Sequence, residues 1–409
     1  MGMTIAQKIL ARHAIPPRDE VKVGEILRVR VDQAAYLGHP LPGYEFTKVW
    51  NPDRILMCTD HDVPCHGVLS AENHALARRF AKKWGIRWYE HGRHGIIHQL
   101  AAEMGFHRPG EIFMYQDSHT TAAGALNCAG KGMGQLEMAY IMAKGETWFP
   151  VEECVKFNIK GKMPEMLQPR DIILYITGKY GDFVNMDVEY DGPVIEQMSI
   201  DGRHCITTAS TELSCDFPLM RADQKTIEYV KARTPFGPFT PVDPDKDATY
   251  AAVYDVDVSE LEPQVAVPHR MRNVKPVSEV KDVKIDLAFV GACTNGRLED
   301  MRVVAKILKG HKVHKDVRFL VRPNSQEVYL KAVKEGIAEI IVEAGGMFAN
   351  PSCHPCGGGN LAAGEVAVTS STRNFRGRMG SPDGFVYCAS PATVTASAIT
   401  GYITDPRKV

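Results

Sequence analysis

Cys293 lies in Gly291-Ala292-Cys293-Thr294-Asn295-Gly296-Arg297, and Cys353 and Cys356 lie further on in Ser352-Cys353-His354-Pro355-Cys356-Gly357-Gly358-Gly359. One cysteine and a Cys-x-x-Cys supply three thiolates. That is enough to hold a four-iron, four-sulfur cluster with one iron left open to a substrate. Other chemistry fits the same residues. A Cys-x-x-Cys is also a redox dithiol or half a zinc site. Three cysteines with His354 suit a structural zinc, and a single buried thiol is inert by default. Spacing alone leaves these readings open.

The elements around these residues narrow the choice. An apolar run, Ile285 to Val290, leads into Cys293, and a helical pattern (Leu298, Val304, Leu308) follows, so Cys293 is expected on a tight loop between strand and helix. Free backbone N–H groups at such a loop face whatever it holds. Earlier in the chain the same design recurs. Asp60-His61 follows the buried run Ile55-Leu56-Met57-Cys58. His98 lies in Gly95-Ile96-Ile97-His98-Gln99, after the strand Ile86 to Tyr89, and Gln116-Asp117-Ser118-His119-Thr120 follows the strand Ile112 to Tyr115. Helices separate the strands: Glu72 to Trp84, stopped by Gly85, and Leu136 to Ala143. Alternating strands and helices make an α/β arrangement, whose ligands bind at the carboxyl ends of parallel strands. Asp60, His61, His98, Asp117 and His119 are then expected to share one crevice. Any one of these histidines alone is better explained as an ordinary satisfied residue.

Three α/β domains are expected, at 1–152, 153–272 and 273–409. The second has an alternating strand from Val155 to Ile159, a helix from Pro169 to Thr177 broken by Gly178-Lys179-Tyr180-Gly181, and a short strand Val188-Glu189-Tyr190. Residues 259–281, rich in proline and charge, read as a linker. The third repeats strand and helix: Val317 to Val321, Ser325 to Lys334, then a strand at Glu339 to Val342 before the Cys-x-x-Cys loop. Ser370-Ser371-Thr372-Arg373-Asn374-Phe375-Arg376-Gly377-Arg378 gathers three arginines, whose guanidinium forks match carboxylates bidentately. Beside a metal site they point to a di- or tricarboxylate substrate.

Composition bounds the answer. The chain of 409 residues is 44% hydrophobic and 24% charged with a formal net charge of -1, an ordinary globular composition. No basic run asks for nucleic acid or an acidic membrane surface. Ten cysteines lack the dense spacing of a secreted disulfide framework, and no apolar stretch reads as a signal core or membrane span. A reduced, cytoplasmic compartment is expected.

Together these residues resemble the aconitase superfamily, and most closely the large subunits of 3-isopropylmalate dehydratase and homoaconitase. The resemblance runs nearly end to end. It opens with Met3-Thr-Ile-Ala-Gln-Lys-Ile-Leu10 and continues through Asp60-His61, Gly95-Ile-Ile-His-Gln99, Asp117-Ser-His-Thr120, Val188-Glu-Tyr190, Cys293-Thr-Asn-Gly-Arg297, Cys353-x-x-Cys356, Arg373-Asn-Phe-x-Gly-Arg378 and Ala389-Ser-Pro-Ala-Thr393, in the family's order. It implies an aconitase-like fold of three α/β domains, with parallel or mixed sheets around a central iron–sulfur site. It implies a hydro-lyase that dehydrates or isomerises a 2-hydroxy di- or tricarboxylic acid. Cys293, Cys353 and Cys356 would ligate a [4Fe-4S] cluster. Asp60-His61 would help the hydroxyl leave as water. His98, Asp117, His119 and Glu189 would line the iron site, and Ser118, Arg373, Arg378 and Tyr36 would contact substrate. The family's carbon-acid base is a serine on a swivelling domain. In this sequence only Ser370-Ser371-Thr372-Arg373 comes near its pattern, so a small partner subunit is expected to carry it.

The sequence also departs from that family. Gln116 stands where the family has glycine, His354 where it has glycine, and Thr208 and Thr372 where it has asparagines near the cluster. Tyr36-Leu37 replaces a polar pair. These changes imply an altered cluster environment and an altered pocket, with one carboxylate contact fewer or a less polar substituent on the substrate; a divergent member acting on another hydroxyacid, of homoaconitate, dimethylmalate or methylmalate type, is an alternative. A cluster-free RNA-binding protein and an assembly-only relative are the alternatives from other classes.

Overall fold

The computed structural model of the chain describes residues 2–37, 45–353 and 360–409. Buried strand runs alternate with helices in three successive groups. The first contains α1 (Ile5–His13), β1 (Ile26–Arg30), β2 (Gln33–Ala35), β3 (Ile55–Cys58), α2 (Val68–Trp84), β4 (Arg87–Tyr89), α3 (Ile97–Glu103), β5 (Ile112–Tyr115), β6 (Ala129–Gly132), α4 (Gln135–Lys144) and β7 (Glu146–Pro150). β2 to β6 form a parallel sheet in the order β4-β3-β2-β5-β6, and β1 pairs with β7 as a separate antiparallel ribbon. The strands of the parallel sheet read as continuous apolar runs because both faces are covered; every residue of β3 and of β5 is buried.

The second group holds β8 (Glu153–Lys160), α5 (Pro169–Tyr180), β9 (Met186–Asp191), α6 (Pro193–Gln197), α7 (Ile200–Ala209), β10 (Pro218–Met220), α8 (Gln224–Lys231) and β11 (Ala252–Asp257), with a parallel sheet ordered β10-β9-β8-β11. The third holds β12 (Gln264–Ala266), β13 (Val274–Pro276), β14 (Leu287–Val290), α9 (Leu298–Leu308), β15 (Arg318–Val321), α10 (Gln326–Lys334), α11 (Ile337–Glu343), β16 (Met347–Phe348), β17 (Val366–Thr369), β18 (Phe385–Ala389) and α12 (Pro391–Thr400). Its sheet is ordered β13-β12-β18-β17-β14-β15-β16, parallel from β18 to β16, with β12 and β13 antiparallel at one edge. The whole is an α/β fold of parallel and mixed sheets.

Each of the three larger sheets reverses its strand order at one place. In the first the connectivity changes direction between β2 and β5, in the second between β8 and β11, in the third between β14 and β17. Such a switch point opens a crevice at the carboxyl ends of the strands. Leu37, Asp60 and Asp117 lie just past β2, β3 and β5; Cys293 and Ser370 lie just past β14 and β17. The topology therefore aims both sets of polar residues at crevices.

Three sequence expectations differ from the structure. Glu339 to Val342 is helical, part of α11, because Ile337, Ile341 and Ala344 recur at helical spacing and are buried together. Residues 259–281 are not a plain linker: β12 and β13 lie within them and extend the third sheet. The helix expected to end at Thr177 runs further, into residues 178–181, with Gly181 at its cap. α5 runs on to Tyr180, and a Cβ at Gly178 would stand 2.6 Å from the Cβ of Val274, so the glycine permits close packing on β13. Among the described residues no helix is long and apolar enough to cross a membrane.

Candidate active site and metal centre

Helix α3 connects the parts. Its first three residues each make a different link. The Ile97 N–H donates to Asp60 Oδ2 at 3.2 Å, His98 Nε2 meets Asp117 Oδ1 at 3.0 Å, and Gln99 Oε1 accepts from Arg297 Nε at 2.9 Å. Arg297 in turn donates to the Thr294 carbonyl at 2.9 Å, so the loop carrying Cys293 is latched to the helix carrying His98. Cys293 itself is buried, and Ala292 before it sits at φ 72°. That left-handed conformation costs an alanine about 1–2 kcal/mol and turns the chain sharply at the end of β14. Thr294 Oγ1 and the Gly291 N–H tie the same loop to Ser370 past β17.

The Cys353 loop docks onto the acid pair. The Cys353 N–H donates to the Asp60 carbonyl at 2.6 Å, and Ser352 Oγ donates to the same oxygen at 3.2 Å. Cys353 also packs against the apolar cluster that contains Ala292, next to Cys293. The two cysteine loops of the third sheet thus meet the β3 loop of the first. Cys356 and His354 lie outside the described residues.

Asp60 is buried and accepts from His61 Nδ1 at 2.7 Å. Burial alone would raise its carboxyl pKa, but the His61 charge and hydrogen bond and the Ile97 N–H outweigh that and hold it below the usual range. The His61 side chain is 54% exposed, so the carboxylate is inside and the imidazole faces the cleft. That cleft, about 200 Å³, is lined by Leu37, Asp60, His61, His74 and Trp88.

Asp117 joins two imidazoles. Its Oδ1 meets His98 Nε2 at 3.0 Å and His119 Nδ1 at 3.1 Å, and accepts the His119 backbone N–H at 2.7 Å. One ligand atom from each of the three lies within 4.8 Å of the others, so they form a candidate metal-ligating group. His98 Nδ1 and His119 Nε2 are buried with no hydrogen-bond partner among the described residues. Orphaned buried nitrogens are costly unless something accepts or donates there, which is what a bound metal, water or substrate supplies. Burial pushes the His119 pKa down against the pull of Asp117. For Asp117 burial pushes up, but the hydrogen bonds from His119 and His98 outweigh it and hold the carboxyl well below its ordinary value.

This has a pH consequence. A carboxylate depressed in the folded state stabilises it fully above the unfolded pKa, about 4. That stabilisation is lost as pH falls through the folded value. The urea midpoint of the wild-type chain should therefore drop on acidification below about pH 4, and drop less steeply in Asp117→Asn. Parallel curves for the two proteins would refute the coupling.

Arg373 closes the far side. Its Nη2 donates to Ser118 Oγ at 2.9 Å and its Nε to Glu212 Oε1 at 2.7 Å, while Glu212 lies 3.9 Å from His119 Nε2. Ser118 and Arg373 are thus brought together beside Asp117. Glu212, from the 3₁₀ turn Ser210–Leu213, carries no sequence signal, since no motif surrounds it. Thr208 donates to the His204 carbonyl within its own helix, and Gln116 Oε1 accepts the Leu37 N–H at 2.9 Å, fixing the turn past β2.

Three expected site residues are placed otherwise. Glu189 lies inside β9, not past its end. Its carboxylate accepts from the Ile5 N–H at 2.7 Å and Tyr250 Oη at 2.7 Å, and burial raises its pKa. It faces α1 and Tyr250. Tyr36 packs its ring on Phe46 and Phe80 in the first core, with its phenol pushed up to about 12 by burial. Leu37 is the residue of that pair that lines the cleft. Arg378 lies over the Phe375 ring at 5.7 Å, and its Nε is buried with no hydrogen-bond partner among the described residues.

Comparison with known proteins identifies the family and the fold. The profile of the aconitase family (aconitate hydratase) matches residues 46–282 and 270–401. The chain is 42% identical to the 3-isopropylmalate dehydratase large subunit 1 of Methanopyrus kandleri over 100% of this chain and 99% of that protein. It is 40% identical to a probable methanogen homoaconitase large subunit of Methanothermobacter thermautotrophicus over 99% of this chain and 98% of that protein. The crystal structure of Thermococcus kodakaraensis aconitase X in its holo-form shares the fold, with a TM-score of 0.51 at 14% identity, covering 86% of this chain and 88% of that one. With α3 linking Asp60 to Asp117, the Cys353 loop docked on Asp60, and relatives matching from end to end, the chain belongs to the aconitase family.

Proposed function

We propose that this chain is the large subunit of a hydro-lyase that removes water from a 2-hydroxy di- or tricarboxylic acid, as the named activities of its dehydratase and homoaconitase relatives suggest. The docking of the Cys353 loop onto Asp60 carries the reading, because it sets a metal-binding thiol beside an acid pair. Cys293, Cys353 and Cys356 would hold a [4Fe-4S] cluster. The donor set fits: thiolates on loops beside buried, unpartnered imidazole nitrogens. When bound, such a cluster supplies Lewis acidity at the iron that lacks a cysteine.

The chain's own residues do the rest. Asp60 takes the Nδ1 proton of His61 in a hydrogen bond and so directs the transferable proton to Nε2. His61 gives that proton to the departing hydroxyl, which leaves as water when the carbon–oxygen bond breaks. Arg373, oriented by Glu212, presents its guanidinium to a substrate carboxylate, with Ser118 beside it. Asp117 holds His98 and His119 in fixed orientations, and their buried nitrogens would serve a bound metal or water. Leu37 gives the cleft an apolar wall, which suits a substrate with an apolar substituent and one carboxylate contact fewer than a tricarboxylate. A cytoplasmic, reduced setting suits thiolate ligands of this kind.

The half-exposed His61 suggests that something else closes the site. A small subunit carrying the carbon-acid base is the partner that fits. The test is anaerobic reconstitution followed by iron and sulfide analysis and a panel of 2-hydroxyacids assayed with a co-expressed small subunit. About four irons and four sulfides per chain are expected from the cluster type. One zinc per chain with no sulfide would end the proposal. Turnover of a tricarboxylate at higher efficiency than of alkyl-substituted malates would refute the narrower expectation about substrate.

A further inference from the structure

A second group of metal-type ligands lies beside the acid loop and takes no part in the chemistry above. Cys65 is on the loop between β3 and α2, His74 is in α2, and His91 follows β4. One ligand atom from each lies within 4.8 Å of the others. Cys65 Sγ is 3.1 Å from His74 Nδ1, and His74 Nε2 is 3.1 Å from the His61 carbonyl. The rings of His74 and His91 are 6.2 Å apart between centroids.

The tautomer of His74 follows from these contacts. A carbonyl only accepts, so the His74 proton sits on Nε2, and Nδ1 turns a bare lone pair toward the thiol. An imidazole whose far nitrogen is held by a backbone carbonyl is the usual setting of a metal-ligating histidine. A thiol–imidazole hydrogen bond alone accounts for Cys65 and His74, but not for the ring of His91 converging from a third element. Two ligands on one tetrahedral zinc stand about 3.5 Å apart, given Zn–S near 2.3 Å and Zn–N near 2.0 Å. The separations here need only small side-chain adjustments to meet that.

We infer that Cys65, His74 and His91 bind one divalent transition metal of the zinc class, distinct from the Cys293–Cys353 centre, and that this ion pins the loop bearing Asp60 and His61. One sulfur and two nitrogen donors suit zinc or cobalt over magnesium or calcium. Binding displaces the Cys65 thiol proton to solvent as the metal–sulfur bond forms, with no change of oxidation state. The three ligands leave a fourth position to water. Because His74 also holds the His61 carbonyl, the ion ties α2 and the end of β4 to the acid loop.

Cobalt(II) tests this, because a tetrahedral thiolate site gives a sulfur-to-cobalt absorption and intense visible bands. The full chain is titrated with cobalt(II) as Cys293→Ser/Cys353→Ser/Cys356→Ser, alone and combined with Cys65→Ser or with His91→Ala. The triple variant removes competition from the thiols proposed to hold the cluster. About one cobalt per chain with a sulfur-to-metal band is expected in the triple variant. That band should vanish when Cys65→Ser is added, and affinity should weaken at least about tenfold when His91→Ala is added. His91 is exposed, so its variant keeps the fold if Cys65→Ser does not. A band that survives the added Cys65→Ser, an affinity unmoved by His91→Ala, or no band in the triple variant overturns the inference.

Discussion

His61→Ala is expected to lower turnover by about 10²- to 10⁴-fold, the range for losing a positioned general acid, while iron and sulfide content stay at the wild-type level. The reason is a division of labour at the end of β3. The backbone of Asp60 holds the Cys353 loop through its carbonyl, and its carboxylate holds both the Ile97 N–H and His61. His61 projects from that framework into the cleft, with more than half of its side chain exposed. Removing the imidazole takes away a proton donor without removing a thiolate or a loop contact. The loss should appear equally in kcat and kcat/KM, because the proton is shared with the leaving oxygen only as the bond breaks. Asp60→Asn is a poorer probe, since it weakens the His61 orientation and the α3 contact at once. A His61→Ala chain that turns over within about threefold of wild type would exclude the imidazole as the acid, and one that loses its iron would make His61 part of the metal site instead.

Much of this arrangement is legible in the amino-acid sequence. Ile55-Leu56-Met57-Cys58 and Ile112-Phe113-Met114-Tyr115 are unbroken apolar runs that end abruptly in ionisable residues. Such a run reads as a strand buried on both faces, and its polar end reads as a crevice. That logic finds Asp60, His61, Asp117 and His119, and the same pattern finds the loop of Cys293. It fails where the position within the strand matters. Glu189 sits mid-strand, so its direction depends on which face β9 turns to α1, which a three-residue motif does not state. Tyr36 and Leu37 are neighbours past a short strand, and alternation sends one into the core and the other to the cleft. Ile337 to Ala344 carries enough β-branched residues to resemble a strand, but its burial has helical spacing. Glu212 leaves no trace because its role arises only when the second group of elements is folded against Arg373.

The second large effect expected is that of a missing partner: without a co-expressed small subunit, the purified chain should show turnover at background, a fall of at least about 10² to 10⁴, the worth of a positioned base. Dehydration needs an acid for oxygen and a base for the neighbouring carbon. The described groups of this site supply the first and are poorly suited to the second. Asp117 and Asp60 have carboxyl groups held below their usual range by the imidazoles beside them, which makes each a weak base. Glu212 is committed to Arg373. Ser118 is the strongest rival within the chain, because its Oγ accepts from Arg373 at 2.9 Å and a guanidinium stabilises an alkoxide. His98 is the other, with its Nδ1 unpartnered. The exposure of the site weighs against both. The side chains of His61, Asp117 and Arg373 are 54%, 39% and 28% exposed, yet proton abstraction from carbon gains from a site closed to water. A second chain that covers these groups and brings its own base meets both needs. The assay compares the chain alone, the chain with its small subunit, and Ser118→Ala and His98→Ala chains with the subunit. Equal turnover with and without the subunit would show that the large chain carries its own base, and the two variants would then show which residue it is.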